Sequence, residues 1–129
     1  MQHECSYNAD LNTIETVTHG LASLTGLIDM LHCILDLCSQ NGTADIIVDH
    51  SNLDARPLTL KDLSEIVGHV AHANDILKKR KCAHIVAKNI QFGLVRAWET
   101  MIELEGVADF RTMVFRNKAD AIEWIKACS

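Results

Sequence analysis

The sequence predicts a small α/β domain: a mixed β-sheet of four to five strands carrying four helices. Three observations predict it. Over 24–40, apolar residues recur at three- and four-residue spacing, the period of a helix with one buried face. The runs "ADIIVDH" (44–50) and "CAHIVAK" (82–88) are continuously apolar at their centres, as strands buried on both faces of a sheet are. Helical and strand segments then alternate through connections short enough to demand parallel pairing and right-handed crossovers. At 129 residues the chain is one domain, 1–129, large enough to build a core without a disulfide or metal.

The elements follow in order. Residues 2–8 and 12–19 read as two strands joined by the "NADLN" turn, the second marked by Ile14 and Val17 among threonines. Gly20 is expected to end it. The first helix, 24–40, buries Leu27, Ile28, Leu31, Ile34, Leu35 and Cys38 and stops at Asn41-Gly42. After strand 44–50, a helix over about 60–79 places Leu63, Ile66, Val67, Val70 and Leu77 on one face. Strand 82–88 leads to a helix over about 91–105 that buries Leu94, Val95, Trp98, Met101 and Ile102. Strand 111–116 and a last helix beginning at Asn117, with Asp120 completing a near capping box, close the chain.

Composition excludes several classes. With 48% hydrophobic and 22% charged residues the chain is globular, neither disordered nor membrane-spanning. A net charge of −5, with "KKRK" (78–81) the longest basic run, argues against nucleic acid and membrane surfaces as partners. Lys78, Lys79, Arg80 and Lys81 are expected at a helix end, where cations complement the macrodipole. Cys5, Cys33, Cys38, Cys82 and Cys128 are odd in number and form no CxxC pair, so free thiols in a reducing cytoplasm are expected. The start "MQHECSYNAD" has neither basic n-region nor apolar core, and no stretch reaches the length of a membrane span.

Several phrases are familiar. "IIVDHSNL", "IQFGLVRAWETMIEL" and "MVFRNKADAIEWI", together covering about 44–126, resemble the SpoIIAA-like branch of the STAS superfamily (sulfate transporter and anti-sigma factor antagonist domains). The resemblance implies a regulatory or binding module that is not an enzyme and needs no cofactor. It also implies docking of a protein partner on the 49–59 loop and the adjoining helix, with a homodimer as an alternative partner. The better-known antagonists carry Asp-x-Ser after the strand, then a phosphorylated Ser, a second hydroxyl and Gly at the next helix start. Here Asp49 and Ser51 match the first pair, but Leu58 stands at the phosphoacceptor position, Thr59 at the following hydroxyl and Leu60 at the Gly. A phosphoacceptor is therefore expected only at Thr59.

The same residues have local readings. Thr59 and Asp62 make a capping box, which occupies the Thr59 hydroxyl. Asp49, Ser51 and Asp54, with His50, either line a polar pocket beyond a strand end or form Asx and Ser turns. Arg96, near Glu99 and Glu103 on the 91–105 helix, is either a contact residue or part of an exposed salt-bridged face.

Two further readings compete with partner docking. The branch resembles CRAL-TRIO lipid-transfer domains in topology, so an unfilled apolar cavity between helices and sheet would favour a carrier of a small apolar ligand. An enzyme would draw on Cys82, His84 and His50; Cys82 and His84 share strand parity and so a face. Glu65, His69 and His72, at i, i+4 and i+7, fall on the polar side of their helix and lack the further ligand a zinc site needs, so no metal is expected.

Overall fold

The computed structural model describes residues 1–105 and 110–127; Cys128 lies outside the described residues. Strand β1 (Gln2–Asn8) pairs antiparallel with β2 (Thr13–Leu21), and the chain then enters helix α1 (Leu24–Gln40). Strand β3 (Asp45–Asp54), helix α2 (Leu60–His72), the single turn α3 (Asn74–Leu77) and strand β4 (Lys81–Ile85) follow. Helix α4 (Asn89–Glu105), strand β5 (Arg111–Phe115) and helix α5 (Lys118–Lys126) complete the order. The five strands lie in sequence order, β1-β2-β3-β4-β5, with every pair after the first parallel. The α/β class and mixed sheet are as the sequence predicts, with five helices among the described residues instead of four.

Strand parity divides the core. Ile46 and Val48 of β3, and Cys82 of β4, join Ile14 and the apolar faces of α1, α2 and α4 in the larger cluster. Ile47, Ala83 and Ile85 point the other way and pack on Ala121 and Ile125 of α5. Ser23 caps α1 by accepting the Gly26 N–H at 3.0 Å. Asn117 caps α5 through the Asp120 N–H at 2.9 Å.

Four local expectations are corrected. First, the helix over 60–79 is broken at Ala73, whose N–H is shared between the carbonyls of His69 and Val70. Asn74 and Asp75, poor interior helix formers, start a separate turn, and Lys79 at φ 67 reverses the chain into β4. Second, Gly20 does not end β2. It sits within the strand at φ +87, opposite Leu53.

Third, β3 runs to Asp54, so half of the expected 49–59 loop is strand. Between Val17↔Asp49 and His19↔Asn52 the register shifts: Thr18 alone faces His50 and Ser51. That is a β-bulge, and an inserted residue reverses which side chains face the core. Ile46, Val48 and His50 face the α1–α2–α4 layer before it; Leu53 and Ala55 face the same layer after it.

Fourth, "KKRK" is only half a helix end: Lys78 and Lys79 are exposed after α3, while Arg80 and Lys81 turn into the fold. Arg80 and Lys81 are only 5% and 6% exposed. Arg80 donates from Nε to the Ile76 carbonyl at 2.8 Å, from Nη1 to Asn41 (3.1 Å) and Ala44, and from Nη2 to Cys38 at 3.1 Å. Its guanidinium thus closes the C-terminal ends of both α1 and α3. Lys81, on the opposite face, donates to the carbonyls of Trp124 (2.9 Å), Ile125 and Ala127 at the end of α5. The charges do complement helix C-termini, but they do so from inside the fold.

Candidate functional site

Between the sheet and helices α1, α2 and α4 lies a cavity of about 110 Å³. Its floor is Ile46, Val48, His50 and Leu53 of β3 with Cys82 and His84 of β4. Leu27, Met30, Leu31 and Ile34 of α1 form one wall, and Leu63, Ile66 and Val70 of α2 another. Leu94, Val95 and Trp98 of α4 complete the enclosure. No Lys, Arg, Asp or Glu is among the described lining residues.

The polar part of the wall is a row of three rings. His50 and His84 stack with centroids 6.1 Å apart and planes 13° from parallel. His84 meets Trp98 edge-on at 4.7 Å. His50 is anchored through Nδ1 to the Thr18 hydroxyl at 2.7 Å, so the residue opposite the bulge holds the ring the bulge presents. The next anchor is Gln91, 3% exposed. Its Oε1 accepts from the N–H groups of Ala87 (3.2 Å) and Lys88 (3.1 Å), and its Nε2 donates to the carbonyls of His50 (3.2 Å) and Leu53. Gln91 therefore ties the end of β3 to the start of α4.

Burial sets the charge state of these groups. It pulls the His50 pKa down to about 4, against the opposing pull of Asp49, and that of His84 to about 3, with His50 adding to the effect. Both rings are neutral at pH 7. Burial also pushes the Cys82 thiol well above its usual range, with Cys38, Asp45 and Glu99 nearby reinforcing it. Cys82 Sγ lies 3.5 Å from His84 Nε2, so the two do share a face. The pair is nonetheless a neutral thiol beside a neutral imidazole, not the thiolate–imidazolium of a catalytic cysteine.

Two ring nitrogens of lining residues, His84 Nδ1 and Trp98 Nε1, have no protein hydrogen-bond partner and lie sealed behind the apolar lining. The residues carrying them are 7% and 8% exposed. Buried N–H groups without an acceptor are rare in folded proteins.

The residues expected for docking scatter around this cavity. Of them His50 alone lines it, beside Cys82 and His84 of the enzyme reading. Asp49 turns back to accept the Ser51 N–H at 2.9 Å. Asp54 accepts the Arg56 N–H at 3.1 Å and pairs with its guanidinium at 2.6 Å, which holds the Asp54 carboxyl down at about 2. Thr59 accepts the Asp62 N–H at 3.1 Å while its own N–H donates to Asp62 Oδ2 at 3.0 Å, the full capping box. Arg96 is exposed on α4, whereas Glu99 is half-buried, with an unpartnered Oε1 and a carboxyl pKa raised by burial. Glu65, His69 and His72 are exposed, with His69 edge-on to His32 of α1 at 6.5 Å. No cluster of three or more metal-ligating side chains occurs among the described residues.

Trp98 and Gln91 are the residues of this candidate site that sequence reasoning missed. Gln91 stands three, four and seven residues before Leu94, Val95 and Trp98, which puts a polar residue on the apolar face of α4. That spacing was the available signal.

Comparison with protein-family models, with curated proteins and with solved structures gives no match.

Proposed function

We propose that this domain is a non-enzymatic binding module that holds a small apolar ligand between its sheet and helices α1, α2 and α4. The observation that carries the reading is the apolar cavity enclosed between the sheet and the three helices. Left empty, a cavity of 110 Å³ costs roughly 2–3 kcal/mol in lost packing, at about 24 cal/mol per Å³. That is a sizeable share of the ~5–15 kcal/mol that stabilises an ordinary domain, and an apolar occupant would recover it.

Size limits the occupant. A cavity of about 150 Å³ accepts benzene, and drug-sized pockets begin near ~300 Å³. At 110 Å³ this one lies below the benzene benchmark, so its occupant is at most a single small ring and not a lipid chain. The neutral Cys82–His84 pair argues against nucleophilic catalysis. Docking through 49–59 has little free polar surface to use, because Asp49, Asp54 and Thr59 are already bonded locally. The phrases resembling the SpoIIAA-like branch support a regulatory role, in which occupancy would be the signal. The free thiols suit the cytoplasm, and among the described residues no helix is long and apolar enough to cross a membrane.

Toluene titration followed by methyl NMR tests this reading. Saturable shifts confined to the methyls of Leu31, Ile34, Val48, Leu63 and Val70 are expected. Shifts that stay linear in toluene, or spread over the surface, would refute it.

A further inference from the structure

Two of the free thiols meet at the edge of the sheet. Strand parity turns Cys5 of β1 towards α1: it pairs with Thr16, which pairs with Val48 of the layer that α1 covers. The Thr16 hydroxyl donates to Cys5 Sγ at 3.2 Å, and the Cys5 side chain packs against the larger core cluster.

Helix α1 presents a matching flank. It joins two parallel strands, and β1 is antiparallel to the first of them, so α1 and β1 run in the same direction. Near their starts, a Cβ on Gly26 would stand 2.7 Å from Met1 Sδ, which places this flank of α1 against the beginning of β1. Cys33 lies two helical turns beyond Gly26 on the same flank, an advance of about 10 Å. Cys5 lies four strand residues beyond Met1, an advance of about 13 Å. The two thiols therefore arrive side by side, in side-chain contact. Both are partly exposed, whereas Cys38 and Cys82 are shut in the core. Paired thiols that solvent reaches are the arrangement of an oxidation-sensitive cysteine beside its resolving cysteine.

We propose that Cys5 and Cys33 form a reversible redox site, closed to an intramolecular disulfide by a peroxide. The Cys33 thiolate attacks one peroxide oxygen and the O–O bond breaks. The hydroxide that leaves takes up the proton Cys33 lost and departs as water. Cys5 Sγ then attacks the sulfenic sulfur of Cys33, the S–S bond forms and the S–O bond breaks, a second water carrying away the Cys5 proton. The two thiols lose two electrons and the peroxide gains them. Burial pushes the Cys5 thiol up to about 11, with the Thr16 hydroxyl opposing it, which gives the first attack to Cys33 and the resolving step to Cys5. The bond staples the edge strand to the helix that forms one wall of the cavity, whatever that cavity holds.

The test exposes the native Cys128→Ser protein, reduced beforehand, to hydrogen peroxide and then blocks the remaining thiols with N-ethylmaleimide in urea. Peptide mass mapping is expected to show Cys5 joined to Cys33 and Cys38 and Cys82 alkylated, and dithiothreitol should restore all four thiols. Tm by calorimetry should rise by about 5–15 °C on oxidation, because the bond closes the 5–33 loop. Cys5→Ser should leave Cys33 as a sulfenic acid that dimedone captures. Cys33→Ser should leave Cys5 unoxidised at the same dose.

Cys33 recovered as a free thiol, paired with Cys38, or driven to sulfinic acid in the native protein would overturn the site. A Cys5–Cys33 bond that forms only in urea would overturn it too. An unchanged Tm would overturn the staple while leaving the bond.

Discussion

Acid should destabilise this domain in a window set by two histidines. His50 and His84 are held neutral by burial, with pKa values near 4 and 3, against about 6.5 in an unfolded chain. Their folded values are depressed, so the unfolded state binds more protons at every pH between those limits. Stability is then full above pH 6.5 and is lost as pH falls towards 4. At pH 5 the unfolded chain gains about 1.5 units of proton-binding free energy at each ring, or about 2 kcal/mol per histidine. Both together amount to about 3–4 kcal/mol relative to pH 7. Glu15 and Asp54, whose carboxyl values are lowered by Lys118 and Arg56 partners, act below about pH 4.5, whereas Glu99, whose carboxyl is raised by burial, works against the histidines by gaining stability as pH falls.

Urea unfolding at pH 7 and pH 5 measures the loss. The control is the double variant His50→Gln/His84→Gln, which carries neutral side chains at both pH values and should lose less than about 1 kcal/mol over the same interval. A wild-type loss below 1 kcal/mol, or an equal loss in the double variant, would refute the assignment of the window to these rings.

Other perturbations test the scaffold. Arg80→Met keeps the apolar stem and removes the donors to Cys38, Asn41, Ala44 and Ile76; a loss of about 3–5 kcal/mol, or roughly 10–20 °C in Tm, is expected by thermal unfolding. Thr59→Ala should cost about 1 kcal/mol in the same assay through loss of the α2 cap. Gly20→Ala meets no close atom but must hold a positive φ, so calorimetry should show a loss of about 1 kcal/mol from backbone strain alone.

Much of the scaffold was legible because it depends on local pattern. The bounds of α1 follow from its helical period and the Asn41-Gly42 stop, and the capping box at Thr59 from a spacing of three residues. The shared face of Cys82 and His84 follows from strand parity. The cavity was not legible, because a volume left unfilled by three helices and a sheet has no sequence period. The bulge at His50-Ser51 was hidden for a related reason: it depends on what Thr18 does across the sheet, not on β3's own residues. Arg80 and Lys81 look like a charged helix end, and only the positions of distant carbonyls reveal them as buried.

Those two neighbours have a consequence for how the molecule comes apart. Arg80 is bound to the ends of α1 and α3 on one side of the sheet, and Lys81 to the end of α5 on the other. Peeling away either helical layer would strand a cation at the root of β4, inside what remains of the core. Partial opening is therefore costly from both directions, and the two layers should exchange their slowest amide hydrogens at a common free energy, as one cooperative unit. A residue inserted between 80 and 81 would reverse their relative parity, so that with β4 held in register Arg80 would turn towards the layer of α5 and leave its carbonyls unpaired.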